Sequence, residues 1–437
     1  MERQTRGRML DRATAVASSW TFPVYSSLSA LYVLFRVGSF TNIPDRLTDT
    51  PSYEAVADHA IWDWRFYAGG RGFTMPLFLK VFHSSESRTV AQLVFSTIAW
   101  LVLAAVVARC IRVGLLRLVA FAAVLAFSLT TEVILWDELI LSESVTFALT
   151  ALLLAAWVML IRSPRPSWVA VVLVLTLLWA FARDTNAYVA LVVAVLAALT
   201  LVRRDHRRLK GVLVAGLCIV FVLDYASADA GKRWLQPMID VVDHRVLNSP
   251  SMEHYFVAHG FDPSSNWPIG SWLRDHARGT YLTYLISHPG YALITPLHGH
   301  QQTPTSTPDD AASLIDPNLA PYNDNANHRF LPIPEAAEKV LFPRGVALLC
   351  ALLAIVLAGA GLVAWRAGPD LLWLLPIGIL LTTYPHFLVA WHQSGIEVDR
   401  HALEAALLLR LAILLLAVLT VDRALAGRAR SQTNPPR

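Results

Sequence analysis

The chain has 437 residues, of which 55% are hydrophobic and only 16% charged, and its apolar residues are gathered into runs long enough to cross a bilayer. That composition excludes a soluble globular domain and identifies a polytopic membrane protein. The net charge of +4 points to no nucleic-acid partner, because the arginines cluster at alternate ends of the apolar runs and so encode topology.

The N-terminus is basic (Arg3, Arg6, Arg8, Arg12), and the long serine-interrupted apolar stretch after it reads as a retained first span rather than a signal peptide. Ten candidate spans follow from the hydrophobic runs: Ala13–Phe40, Thr89–Ala108, Leu115–Thr131, Leu139–Ile161, Trp168–Ala182, Ala187–Val202, Gly211–Ala228, Val346–Trp365, Leu371–Trp391 and Ala402–Val421. With that count, Arg109, Arg112 and Arg117, Arg162 and Arg165, the basic run 203–210, Arg366 and the basic residues after Arg423 all fall on one side. The positive-inside rule makes that side the cytoplasm, with both termini inside. The expected fold is therefore an all-α integral membrane protein of about ten spans in a cytoplasmic (inner or plasma) membrane. It divides into an N-terminal membrane module (1–228), an extracytoplasmic region (229–344) and a C-terminal membrane module (345–437). Cys110, Cys218 and Cys350 lie in or beside apolar segments, which argues against a disulfide framework.

The other side receives a first loop (41–88), turns near Trp136 and Arg183, the long segment 229–344 and a short loop, His392–His401. In the first loop, Thr50 reads as an N-cap with Pro51 in the first helical position. Tyr53, Val56, Ala57, Ala60, Ile61 and Trp64 then recur at helical spacing, as in a helix lying along a membrane surface. Asp49 precedes that helix and reads either as a helix cap or as a functional acid. A second surface-lying or partly inserted piece is expected at 73–82. The apolar stretch 280–297, broken by Pro289 and Gly290, reads as a re-entrant or interfacial helix pair or as a further span. The polar stretch 298–333 reads as an ordered loop or a lid. No Gly-rich nucleotide fingerprint is present.

Ionisable residues near a membrane boundary are costly unless they face a polar cavity, and here they crowd onto the outer side. The turn before the fourth span carries Glu132, Asp137, Glu138 and then Glu143. Arg183, Asp184 and Asn186 follow the fifth, and His386, His392, Glu397, Asp399, Arg400, His401, Glu404 and Arg410 surround the start of the last. Arg410, about two turns into that span, requires a partner: Glu404, Glu143 or a lipid phosphate. Such a mixed-charge cavity suits a phosphate-bearing lipid with a sugar to transfer. An acid can deprotonate an attacking hydroxyl, while Arg and His stabilise the departing phosphate. His298 and His300 lack the neighbouring ligands that would make a metal site. Trp136, Trp267 and Trp272 read as interfacial anchors or as sugar-stacking rings.

Four short motifs carry a family resemblance: Asp49-Thr50-Pro51-Ser52-Tyr53 in the first outer loop, Leu141-Ser142-Glu143-Ser144 entering the fourth span, Arg183-Asp184, and Asp399-Arg400-His401. Together they resemble the GT-C polytopic glycosyltransferases, in particular bacterial relatives of the protein mannosyltransferases. The resemblance implies an inverting transferase that takes a sugar from a polyprenyl phosphate outside the cytoplasmic membrane and passes it to a glycan, lipid or protein acceptor. It implies Asp49 as catalytic base, Arg400, His401, Arg410 and Arg183 around the donor phosphate, and Glu143, Tyr53 and Asp137 as acceptor or orienting residues. Many members carry two adjacent acids where this chain has Asp49-Thr50, so a divalent cation is left open. An O-antigen-type polymerase or ligase and a transporter or flippase for lipid-linked substrates are the rival expectations.

Overall fold

The computed structural model describes residues 22–202, 205–264, 270–298, 312–319, 322 and 332–433. Among them every regular element is a helix, apart from one isolated parallel bridge between Asp45 and Leu139. The helices are α1 (22–38), α2 (Thr50–Ala57), α3 (Trp64–Tyr67), α4 (Thr74–Val81), α5 (Ser85–Cys110), α6 (Gly114–Phe127), α7 (Thr131–Ile134), α8 (Ser142–Arg162), α9 (Pro166–Ala180), α10 (Asp184–Leu199) and α11 (Arg207–Ala230). They continue with α12 (Leu235–Val241), α13 (Pro250–Ala258), α14 (Arg278–Ser287), α15 (Pro289–Leu293), α16 (Thr295–His298), α17 (Ala312–Ile315), α18 (Pro332–Leu341), α19 (Val346–Ala367), α20 (Leu374–His392) and α21 (Val398–Thr433).

Each of the ten expected spans overlaps a helix, the first only from residue 22 because 13–21 lie outside the described residues, but not every one has the length to cross a bilayer. Among the described residues seven helices are long and apolar enough: α5, α8, α10, α11, α19, α20 and α21, with short 3-10 turns extending α10 and α20. An eighth is obtained if α6 and the Thr131–Asp137 piece, bent by 55° at their junction, form one broken span. α9 has 15 residues and reaches only about 22 Å, short of a hydrocarbon core of about 30 Å. These helices make the chain an all-α protein of multi-pass membrane character.

α8 and α21 form the centre of the bundle, each with 78% of its most apolar stretch buried, whereas α19 and α11 are peripheral at 11% and 22%. Ala148 and Ala151 on α8 and Ala402, Ala405, Ala406 and Ala412 on α21 are fully buried, and small residues let helix backbones approach closely where lipid offers no hydrophobic drive. Around this pair, α5 and α9 pack on α8, α19 and α20 pack on α21, and α10 joins α20 to α9 and α11.

The first loop is strapped onto the turn before α8. The Asp45 N–H donates to the Glu138 carbonyl and the Ile140 N–H to the Asp45 carbonyl, both at 3.0 Å. The Thr50 hydroxyl donates to the Ile140 carbonyl at 3.0 Å. From the other side the Gln92 amide of α5 donates to the carbonyls of Trp136 and Leu139, at 3.0 and 2.9 Å. α4, expected as a surface-lying piece, packs against α2 and buries Met75 and Leu79. At Gly72 any β-carbon would strike the Phe181 carbonyl, which explains a glycine where the loop crosses the end of α9.

The expected surface helix after Asp49 is shorter than its apolar spacing suggested. Asp49, not Thr50, occupies the N-cap position, and the helix stops at Ala57. Tyr53 and Val56 are buried against the bundle, while Ile61 and Trp64 lie beyond the helix end and are exposed.

Residues 232–294 carry a small core of their own, built on Val241, Val242, Val246, Met252, Phe256, Leu273, Tyr281 and Tyr284. It is pinned to the end of α20: the Arg245 guanidinium lies 3.5 Å over the Trp391 ring and donates to the Trp391 carbonyl at 2.7 Å. Within this region the apolar stretch from Thr280 forms no single helix long enough to cross a bilayer. It breaks at His288 into α14, α15 and α16, because Pro289 cannot continue the helix. The expected lid, 298–333, lies mostly outside the described residues, as do Trp267 and His300.

Candidate functional site

The N-terminal ends of α2, α8, α10 and α21 converge, and each brings an ionisable side chain that the sequence places there. Arg400, on the first turn of α21, is 3% exposed and meets three carboxylates. Its Nη2 bonds Asp49 Oδ2, its Nε lies 3.0 Å from Glu143 Oε1, and its Nη1 lies 2.9 Å from Glu397 Oε2. The contact to Glu143 is a charge contact, since neither atom has an aligned hydrogen bond.

Asp49 in turn is held by two cations. Its Oδ1 accepts from Arg71 Nη2 while Oδ2 accepts from Arg400. Asp49 occupies the N-cap position of α2, but its carboxylate forms no helix-cap hydrogen bond. Burial pushes its acidity towards the neutral acid, but the guanidiniums of Arg400 and Arg71 outweigh burial and hold the carboxyl below the usual carboxylate range.

Arg71 is the principal residue that sequence reasoning missed. It lies in Gly69-Gly70-Arg71-Gly72, donates from Nε to the Ser52 hydroxyl at 2.7 Å, and lies 5.0 Å over the Tyr53 ring. A lone cation between glycines in an acid-rich loop was the available signal. Tyr53 is buried and its hydroxyl donates to Ser142 Oγ at 3.2 Å, so it joins α2 to the start of α8. Burial raises its phenol above the ordinary tyrosine value, which keeps the O–H as a donor.

Arg183, at the N-cap of α10, donates to His401 Nδ1 at 2.8 Å and lies 3.7 Å from Glu143 Oε1. Because arginine is always a donor, His401 must accept at Nδ1, and its ring is neutral with the hydrogen on Nε2. Glu397 is backbone-strained: its φ of 56° lies in the left-handed region, which costs a non-glycine residue about 1–3 kcal/mol. It is fixed there by Arg400 and by Tyr322, whose hydroxyl donates to Glu397 Oε1 at 2.9 Å. Three carboxylates (Asp49, Glu143, Glu397) thus interleave with three guanidiniums (Arg71, Arg183, Arg400).

Four expected residues, Asp137, Arg410, Glu404 and Trp136, stand apart. Asp137 faces away and pairs with the buried Arg36 of α1 at 2.6 Å, where it also accepts from Ser144 Oγ at 2.7 Å. Arg410 lies ten residues, about 15 Å, along α21 from Arg400. Neither Glu404 nor Glu143 is its partner. Six helical residues rotate Arg410 by about 240° from Glu404. Its guanidinium donates instead to the carbonyls of Leu314, Ile315, Pro343 and Ala406, and lies 3.8 Å over the Phe342 ring. Glu404 accepts from Thr150 Oγ1 at 2.6 Å and Trp179 Nε1 at 2.7 Å. Trp136 is fully buried, with its indole on the Glu132 carbonyl at 3.0 Å, and presents no free ring face to a sugar. Among the described residues no group of three or more His, Cys, Asp or Glu has the arrangement of a metal site.

No protein-family model matches the chain, and no curated protein matches it. What the cluster does is therefore argued from its own chemistry. Each anion in it is held by cations that a phosphate would also bind, and its one neutral imidazole can donate from Nε2.

Proposed function

We propose that the protein is an extracytoplasmic-face glycosyltransferase that uses a polyprenyl-phosphate sugar, with Asp49 as general base and Arg71 and Arg400 as the donor-phosphate clamp. The observation that carries this reading is the double clamp itself. Both oxygens of Asp49 accept from guanidiniums, so in the resting state Asp49 is a weakened base. A phosphate competes for guanidinium donors as strongly as a carboxylate does. Donor binding would draw Arg71 and Arg400 onto the phosphate and release Asp49 as a base.

The step then balances in one displacement. Asp49 takes the proton of the acceptor hydroxyl, the acceptor oxygen forms a bond to the anomeric carbon, and the bond from that carbon to the phosphate oxygen breaks with inversion. The polyprenyl phosphate leaves carrying the extra negative charge, which Arg71 and Arg400 stabilise and to which His401 Nε2–H can donate. Glu143 and Arg183 act as positioning residues: they hold Arg400 and His401 in place from α8 and α10. Substrate access along the bilayer, a cytoplasmic membrane location and both termini inside belong to the same proposal, through the positive-inside count.

The experiment is sugar transfer from radiolabelled polyprenyl-phosphate mannose, glucose and arabinose to a cell-envelope acceptor extract, with purified wild type, Asp49→Asn and Arg71→Met. Transfer by the wild type, its loss in Asp49→Asn with donor still bound, and a raised KM in Arg71→Met are expected. No transfer from any donor, or full activity in Asp49→Asn, overturns the proposal.

A further inference from the structure

We propose a second anion site, at the opposite end of the bundle, that takes the phosphate of an anionic phospholipid headgroup. α8 runs from Glu143 at one end to Arg162 at the other, roughly 30 Å away. There the ends of α5 and α8, the start of α6 and the turn before α20 enclose a cavity of about 350 Å³ lined by Arg109, Arg112, Arg117 and Arg162. Among the described residues Asp370 is the only acid in its lining, with Asp422 behind Arg112. Four arginines are thus gathered around Asp370.

The internal contacts leave donors over. Arg112 is bound to Asp370 at 2.5 Å, with Asp422 behind it at 3.7 Å. Arg117 gives Nε and Nη2 to the Ile111 carbonyl at 3.1 and 3.0 Å. Arg162 gives one donor, Nη1, to the Arg109 carbonyl at 2.9 Å. Arginine at a helix C-terminus also offsets the helix dipole and fixes topology, which accounts for Arg109 and Arg162 one at a time. It does not account for four of them around one recess, a geometry that matches the oxygens of a phosphate.

The rest of the lining selects the source of that phosphate. Ile111, Ile161, Leu371 and Leu372 make an apolar wall beside the basic one, and Leu371 is 55% exposed. A soluble phosphate has no use for that wall, whereas a phospholipid would lay its first acyl carbons on it while its headgroup sits among the arginines. The volume suits a small headgroup such as phosphoglycerol.

Full-length protein, purified with minimal delipidation, is transferred to phosphatidylcholine bilayers with and without phosphatidylglycerol, and retained lipid is read by native mass spectrometry. The wild type is expected to retain phosphatidylglycerol over phosphatidylcholine, and Arg109→Gln/Arg162→Gln to lose that preference by about tenfold. Arg366→Gln removes a basic charge from the end of α19 outside the cavity and is expected to retain it. Equal retention by the double variant, or an equal loss in Arg366→Gln, overturns the site in favour of diffuse surface charge. Inorganic phosphate that displaces the lipid from the wild type at millimolar concentration overturns the lipid assignment and makes free phosphate the ligand.

Discussion

Asp49 and Arg400 are 351 residues apart in the chain and share a direct carboxylate–guanidinium contact, which ties the first loop to the first turn of the last helix. Arg71 takes the other oxygen of the same carboxylate. Substituting Asp49→Asn should lower transfer by about 10²- to 10⁴-fold, the usual contribution of a general base. It should leave phosphate-donor affinity unchanged or improved, because both guanidiniums are then released from a competing anion. Equilibrium binding of the lipid donor alongside turnover checks the pair of outcomes, and weakened donor binding in Asp49→Asn contradicts the clamp.

The same clamp has a pH signature. Asp49 has its folded-state acidity pulled below its unfolded value of about 3.9 by Arg400 and Arg71, against the opposing effect of burial. A depressed carboxylate stabilises the fold above the unfolded value, and the contribution is lost as pH falls through the folded value. The difference in thermal stability between wild type and Asp49→Asn should be flat above about pH 5 and shrink below about pH 4. A difference that grows on acidification contradicts the assignment.

Arg400 is hemmed in by Glu143 and Glu397, and Glu143 is fully buried. Removing one partner of a buried ion pair costs about 3–5 kcal/mol because the other charge is stranded. Arg400→Met should therefore lose stability as well as activity, and adding Glu143→Gln should restore much of the stability without the activity. A double variant no more stable than the single one would show that the two charges are not coupled.

Arg410 makes a different prediction from the arginines of the cluster. Its donors end on main-chain carbonyls of Leu314, Ile315 and Pro343, so it fastens two connecting segments to α21. Arg410→Met should speed proteolysis or hydrogen exchange across 312–319 and 341–345 while leaving donor KM within about twofold, as expected for a residue far from the phosphate.

Arg36 and Asp137 form a buried pair at 2.6 Å, with Arg36 also donating to Ser96 Oγ at 2.6 Å and to the Ser128 carbonyl at 2.9 Å. Arg36→Met should destabilise by about 3–5 kcal/mol. Asp137→Asn should act through stability alone, with turnover per folded molecule retained; a selective loss of turnover would return Asp137 to the site.

Much of the architecture is legible because membrane burial writes itself as runs of apolar residues, and α5, α8, α19, α20 and α21 are found where those runs lie. The short α9 and the bent α6–α7 pair are harder, since hydropathy counts apolar residues without registering a break at Ser128–Thr130. The cluster is legible to the extent that charge near a membrane boundary is rare: Asp49, Glu143, Arg183, Arg400 and His401 stand out in the sequence and meet in space. Partner choice is not legible. Arg71 reaches Asp49 across 22 residues that hold α2, α3 and the turns between them. Arg410 is satisfied by main-chain carbonyls, which every residue carries and no sequence pattern marks. Asp137 looks like the other acids of its turn until α1 is seen to bring Arg36 against it.

The placement of Arg400 on α21 bears on the order of synthesis. Glu143 and Asp49 are made early, yet the cation they share belongs to α21, far later in the chain. Until α21 docks, Glu143 has Arg183 at 3.7 Å as its remaining counter-charge and Asp49 has Arg71. A nascent chain halted before residue 398 would thus hold its first loop by the Asp45, Thr50 and Tyr53 hydrogen bonds to 138–142 and by those of Thr74 and Tyr67 to α9 and α11. Insertion of α21 is then the event that brings Arg400 between Asp49 and Glu143 and closes the polar cluster.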